Sequence, residues 1–243
     1  MNIQGLQKLT LLDYPEHVAA TLFTGGCQLN CPYCHNSELI SGPFGPGEDT
    51  DAVLAFLKKR QGLLDGVCVS GGEPLLQPDI ADFLRAVKAL GYQIKLDTNG
   101  GFPEKLAAIV GENLVDYVAM DIKNTPARYP ETVGVPDLDV TPYIRSQKFL
   151  MEGHVDYEFR TTVVREYHTI EDIRSICEWL QGAPRYYLQC FVARDQVRDT
   201  SLSAYNDEEM RTLLAEAKNI CQSLSCAVSS VICRAYPWRN NNI

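Results

Sequence analysis

Residues 24–39, TGGCQLNCPYCHNSEL, place Cys27, Cys31 and Cys34 within eight residues, with His35 next to the last of them. Thiolates at C-x3-C-x2-C spacing share one short loop, and they bind soft metals or do redox chemistry. Three chemistries compete for them. CPYCH fits covalent haem attachment. Cys27, Cys31, Cys34 and His35 could close a four-ligand zinc site. The three thiolates alone could take three corners of a cubic [4Fe–4S] cluster, whose usual complement is four Cys. The remaining iron would then stay open to substrate, as a catalytic metal keeps an open position. A ligand with both an amino group and a carboxylate could chelate that iron.

Composition narrows the choice. The chain has nine cysteines, an odd number, and its start, MNIQGLQKLTLLDYPEH, lacks a charged segment followed by an apolar one. A disulfide framework is not expected from that pattern, and a cytoplasmic location is. Covalent haem attachment normally belongs to exported proteins, so the haem reading weakens. With 22 Lys and Arg against 31 Asp and Glu, the formal net charge is −9. A nucleic-acid or anionic-membrane binder would need a basic surface, so neither partner is expected. No apolar run reaches membrane-spanning length.

Further polar motifs follow the cysteine loop in order: Gly71-Gly72-Glu73-Pro74, then Asp97-Thr98-Asn99-Gly100, then Asp121-Ile122-Lys123, then Arg160 and Gln189. Each alone reads as a turn, a strand end or an ion pair. Their placement is what groups them. Strands are expected at 17–23, 66–70, 93–97, 115–121, 157–164 and 186–191. Helices are expected near 51–61, over DIADFLRAVKALG, after Pro103, over 141–151, from a Thr169/Asp172 capping box to about Leu180, and over 207–224. A last strand is expected at 227–234. The segment 124–138, with three prolines, reads as a long loop.

Alternating strands and helices imply parallel pairing with right-handed crossovers. Six units are too few for a closed eight-fold barrel. The expected fold is α/β, a partial (β/α)6 barrel of parallel strands, in one domain over 1–243. Its core runs from about 15 to 192, and 193–243 form a C-terminal helix and strand extension. Every polar motif then falls within a strand or at its C-terminal end, the rim where such folds place ligands. At that rim the backbone of Gly71 and Gly72 can approach a ligand closely. Glu73 can accept from an ammonium group, and Lys123 and Arg160 can pair with a carboxylate.

These motifs resemble the radical S-adenosylmethionine (SAM) enzymes: GGCQLNCPYCHN their cysteine loop, with an aromatic residue before the third Cys, and SGGEP their Gly-Gly-Glu-Pro motif. DTNG, DIK and the strand arginine resemble the glycyl-radical-enzyme activases. The opening GLQKLTLLDYPEHVAATLFTGGC is similar to the activating proteins of anaerobic ribonucleoside-triphosphate reductase. The resemblance covers residues 5 to about 192.

It implies that Cys27, Cys31 and Cys34 ligate a [4Fe–4S] cluster whose open iron is chelated by S-adenosyl-L-methionine. It implies that Gly71, Gly72 and Glu73 meet the amino group, with Pro74 shaping the turn, and that Tyr33 lies against the adenine. Asp121, Lys123 and Arg160 would contact ribose and carboxylate, with Thr98 beside them and Asn36 as a further contact. Asp97, Thr98 and Asp121 would hold a monovalent cation. The implied partners are a glycyl radical enzyme and a flavodoxin- or ferredoxin-type electron donor. Activases of pyruvate formate-lyase carry the same motifs, and a maturase acting on a small molecule is a further alternative. Residues 35–66 contain no Cys, which disfavours activases with a ferredoxin-like insertion.

Several residues are left over. Cys68, Cys177 and Cys190 read as core. Cys221, Cys226 and Cys233 read as buried core thiols rather than an auxiliary cluster. His35 is a functional candidate beside the cysteines. His154 and His168 read as surface or loop residues, and Trp238 as partner-facing or frayed. The rival from another class is a non-catalytic zinc or redox module using Cys27, Cys31, Cys34 and His35.

Overall fold

A computed structural model of the protein describes residues 1–220. Seven strands form one sheet in sequence order: β1 Ile3–Thr10, β2 Ala19–Thr24, β3 Gly66–Gly71, β4 Gln93–Thr98, β5 Tyr117–Asp121, β6 Asp156–Val163 and β7 Tyr186–Cys190. From β2 to β7 every neighbouring pair is parallel, and a helical connection lies between each. The six expected parallel strands are therefore present as a partial barrel. Strand β1 was not expected. It pairs antiparallel with β2, at register Leu6↔Leu22, and adds a seventh strand at the edge. Gly5, Gln7 and Lys8 dilute its apolar pattern, so it gives no clear period-two signal.

The helices are α1 Thr50–Lys59, α2 Ile80–Ala89, α3 Pro103–Gly111, a single turn α4 Tyr129–Thr132, α5 Thr141–Met151, α6 Ile170–Trp179 and α7 Asp207–Ile220. Their starts follow from sequence. Asp49 caps α1 by accepting from the Ala52 N–H, and proline opens α3 and α5. Thr169 and Asp172 form the expected reciprocal box at α6, satisfying two donors that a helix start leaves open. In α2, Ile80, Phe83, Leu84 and Val87 bury one face, as the 3.6-residue period requires. Segment 124–138 differs from the expected loop: it contains α4, and Tyr129 and Val133 are buried against Leu29, Cys31 and Tyr33. The helix expected to 224 and the strand at 227–234 run into residues outside those described. So do Cys221, Cys226, Cys233 and Trp238.

The strands are two-faced. Ala20, Leu22, Val67, Val69, Ile94, Leu96, Val118, Met120 and Phe159 belong to the main core with the helices. The residues between them include Thr21, Ser70, Asp97, Asp121, Arg160, Thr162 and Gln189, and these line a cleft inside the sheet's curve. Successive side chains point to opposite faces, so one row builds the core and the other supplies polar groups. No helix among the described residues is long and apolar enough to cross a membrane.

Candidate active site

The cleft encloses about 1410 Å³, including its open mouth. Cys27, Cys31 and Cys34 line one side, together with Tyr33, His35 and Asn36. None of the three thiols is in a disulfide. The loop that carries them is held from several directions. Gly26 N–H donates to Leu39 O at 2.8 Å, and Cys27 N–H to Ile40 O at 3.0 Å. Asn30 N–H donates to Val133 O at 3.0 Å, beneath the α4 turn. The chain after β7 straps the outer side: Asp199 N–H donates to Pro32 O at 3.2 Å, Ser37 Oγ to Gln196 O at 2.5 Å, and Arg198 to Asn30. Sequence reasoning gave no sign of this strap, because its contacts are mostly to backbone carbonyls across some 160 residues of chain.

Burial pushes the Cys27 thiol up to about 11 and the Cys31 thiol up to about 12, against the opposing pull of Lys123 on both, and it also raises Cys34. Thiols so placed become thiolates when a metal displaces the proton.

The Gly71–Gly72 turn forms the adjoining wall. Both glycines line the cleft, and Asn36 Nδ2 donates to Gly71 O at 3.5 Å. Their lack of a side chain also meets a packing need. A Cβ on Gly71 would lie 2.2 Å from Thr24 N, and one on Gly72 would lie 2.2 Å from Gly26 O. The glycines let β3 press against the chain entering the cysteine loop. Gly71 also has φ +118°, a region that residues with a Cβ avoid.

Glu73 and Pro74 stand behind that wall and are fully buried. The Glu73 carboxylate accepts from Leu75 N–H at 3.0 Å, Thr98 Oγ1 at 2.8 Å and Asn99 N–H at 2.7 Å. Burial pushes its carboxyl up to about 7 against these three donors. Glu73 thus ties the cysteine-loop side of the cleft to the 98–101 turn. That turn holds a residue the sequence reading did not single out. The Asn99 amide Nδ2 lies 3.7 Å from Cys27 Sγ and 3.3 Å from Gln28 Oε1, while its Oδ1 accepts from Gln28 Nε2 at 2.9 Å.

The far wall carries charge. Arg160 donates from Nε to Asp121 Oδ1 at 3.0 Å, and its Nη2 is also 3.0 Å from that oxygen. Lys123 Nζ is 3.0 Å from Asp121 Oδ2. Burial would raise the Asp121 carboxyl, but Lys123 and Arg160 overcome it and bring it to about 2. Asp97 accepts from Lys95 and faces Arg160 Nη1 at 3.5 Å, so the Asp97 and Asp121 carboxylates are engaged by three side-chain cations. Thr98 Oγ1 accepts from Gly100 N–H at 3.0 Å while it donates to Glu73.

His35 stacks on Phe191 and sets Nε2 2.8 Å from Val192 O. That contact binds the strap to the cysteine loop. His168 was expected at the surface or in a loop; it lies in the loop between β6 and α6 and is fully buried. Its Nδ1 accepts from Val164 N–H at 3.1 Å, so Nε2 carries the proton and donates to Lys123 O at 2.8 Å. Its partners are backbone atoms, which a sequence does not display. His154 is exposed beside Glu152, as expected. Cys68, Cys177 and Cys190 are buried, as expected, and Cys190 also touches the cleft.

Comparison with known proteins gives the class. The radical SAM superfamily model matches residues 21–180. A candidate glycyl-radical enzyme activating enzyme of Methanocaldococcus jannaschii is 31% identical over 91% of this chain and 89% of its own length. A pyruvate formate-lyase-activating enzyme of Listeria monocytogenes is 32% identical over 60% of this chain, and the match spans 64% of that enzyme. Among solved structures, Streptococcus suis SuiB bound to S-adenosylmethionine superposes with TM-score 0.66 at 18% identity. The match covers 84% of this chain and 48% of SuiB, and it is a likeness of fold alone. The chain belongs to the radical SAM superfamily, and within it to the family of glycyl-radical enzyme activating enzymes.

The family's cofactors are a [4Fe–4S] cluster and S-adenosylmethionine. The residues present fit them. Three thiols outside any disulfide line one cleft, and an amide N–H points at one of their sulfurs. On the same wall the buried Tyr33 hydroxyl has no hydrogen-bond partner among the described residues.

Proposed function

We propose that this chain activates a glycyl radical enzyme, namely the anaerobic ribonucleoside-triphosphate reductase whose activating proteins its opening segment resembles. The observation that carries the reading is one open cleft lined by the three thiols and by Gly71, Gly72, Asp121, Lys123 and Arg160 together. When bound, the cluster and S-adenosylmethionine supply one-electron cleavage of a carbon–sulfur bond and the hydrogen-abstracting radical that follows from it.

In this reading Cys27, Cys31 and Cys34 hold the cluster, with Asn99 donating to the Cys27 sulfur. The backbone of Gly71 and Gly72 receives the methionyl amino group, and Glu73 stiffens that wall from behind. Asp121, Lys123 and Arg160 orient the ribose and carboxylate. Tyr33 borders the adenine, with Asn36 beside Gly71. A bound polypeptide covers the open mouth and excludes water from the reacting groups. A glycine suits the hydrogen donor, because a residue without a side chain lets the partner's backbone enter the cleft. The electron comes from a flavodoxin- or ferredoxin-type donor.

The test is anaerobic incubation of the reduced, iron-loaded protein and S-adenosylmethionine with candidate glycyl radical enzymes. A glycyl doublet by electron paramagnetic resonance on the ribonucleotide reductase supports the specific reading. A doublet only on pyruvate formate-lyase moves the target to the second reading, which the Listeria monocytogenes relative favours. Methionine release with no doublet on any of them would remove the activase assignment.

A further inference from the structure

Lys95 sits in the middle of β4 with 1% of its surface exposed. An ammonium so placed is costly unless it is paired. Its Nζ donates to Asp97 Oδ1 and lies 3.9 Å from Cys68 Sγ. The register sets Lys95 between Cys68 on β3 and Tyr117 on β5, well inside the curve of the sheet. Glu158 faces the same interior, and its carboxylate takes the Tyr117 hydroxyl at 2.8 Å. From Lys95 the charges alternate outward to the cleft. Asp97 Oδ2 faces Arg160 Nη1 at 3.5 Å, Arg160 holds Asp121 at 3.0 Å, and Asp121 holds Lys123 at 3.0 Å. Arg160 is therefore shared between two cleft-lining carboxylates, and Asp121 is the nearer.

We propose that Lys95 is a positioning residue for S-adenosylmethionine binding: by occupying Asp97 it leaves Arg160 to hold Asp121, and so fixes Asp121 and Lys123 at the cleft wall. This rests on the reading of those three residues as cofactor contacts. The physical reason is competition. Without Lys95, the buried Asp97 carboxylate would have Arg160 as its remaining cation, and the forked guanidinium would turn toward it. Asp121 would then keep Lys123 alone and shift with it.

The test uses the iron-loaded, unreduced protein, so that S-adenosylmethionine binds without being cleaved, and reads affinity by equilibrium dialysis. Lys95→Met should weaken binding about ten-fold, the size of coupling between charges in direct contact. Its iron content should match the parent's. The double variant Lys95→Met with Asp97→Asn removes the competing carboxylate as well. It should bind at least about three-fold more tightly than Lys95→Met, because Arg160 again has Asp121 to itself. A residue that merely stabilised the fold would show no such rescue. If Lys95→Met does not fold, Lys95→Arg keeps a cation beside Asp97 and should bind within about three-fold of the parent. Parent-like affinity in a folded Lys95→Met, a double variant binding no more tightly than Lys95→Met, or a folded Lys95→Arg binding ten-fold more weakly than the parent overturns the proposal. If the parent itself binds no S-adenosylmethionine, the reading of the site falls and the proposal falls with it.

Discussion

The carbonyl oxygen of Gly26 lies 2.2 Å from where a Cβ on Gly72 would stand. Backbone meets backbone there, one residue before Cys27, and Glu73 N–H donates to that same carbonyl at 2.8 Å. Gly72→Ala should therefore force the cysteine loop away from β3. Overpacking of this kind costs about 1–3 kcal/mol. The expected result is a lowered melting temperature together with reduced iron content after anaerobic reconstitution. Parent-like iron loading in Gly72→Ala would show that the loop does not depend on this contact.

Thiols in the cleft and thiols in the core should respond differently. Cys31→Ala should abolish the brown chromophore and reductive cleavage of S-adenosylmethionine. Cys177 is buried in the main core, so Cys177→Ala should retain both and lose stability by about 1 kcal/mol for the small void. Absorbance near the iron–sulfur band and methionine release measure the two variants side by side.

Arg160 contacts Asp121 through two nitrogens and Asp97 through a third. A lysine has one nitrogen on a flexible stem and cannot reproduce that fork. Arg160→Lys should weaken S-adenosylmethionine binding by about ten-fold or more, the loss of a good charge-assisted hydrogen bond. Iron content should stay as in the parent. Equal affinity in both proteins would count against Arg160 as an organiser of the cleft.

Burial lowers the His168 pKa, and its backbone partners only partly offset that. The unfolded histidine titrates near about 6.5. Below that pH the unfolded chain takes up a proton that the folded chain does not. The His168 contribution is therefore complete above about pH 6.5 and is lost as the pH falls below it. Glu73 acts with the opposite sign: its folded pKa is raised to about 7, so its share is present at low pH and lost as the pH rises through that value. The two separate when parent and His168→Gln are melted at pH 7.5 and pH 5.5. The parent should lose more stability on acidification than the variant does.

The parallel strands and the cysteine loop were legible because their signals are local. Runs such as GVCVS and VDYVAMD mark strands by composition, and three thiols in eight residues mark a metal loop by spacing. What escaped is held by long-range backbone contacts. Strand β1 declares itself through its pairing with β2. His168 and Lys123 meet across 45 residues, and the strap after β7 reaches back to Asn30 and Ser37. The Gly71-Gly72-Glu73 motif was found, but its packing partners were not legible. The glycines make room for the cysteine loop, and Glu73 faces Thr98 and Asn99 rather than the cleft.

The alternation along β2–β7 separates two kinds of change. A substitution on the helix-facing row must preserve volume, whereas one on the cleft-facing row alters charge and hydrogen bonding without disturbing the helices. The chemistry of the cleft is thus set by every second residue of a strand, apart from the packing that folds the chain.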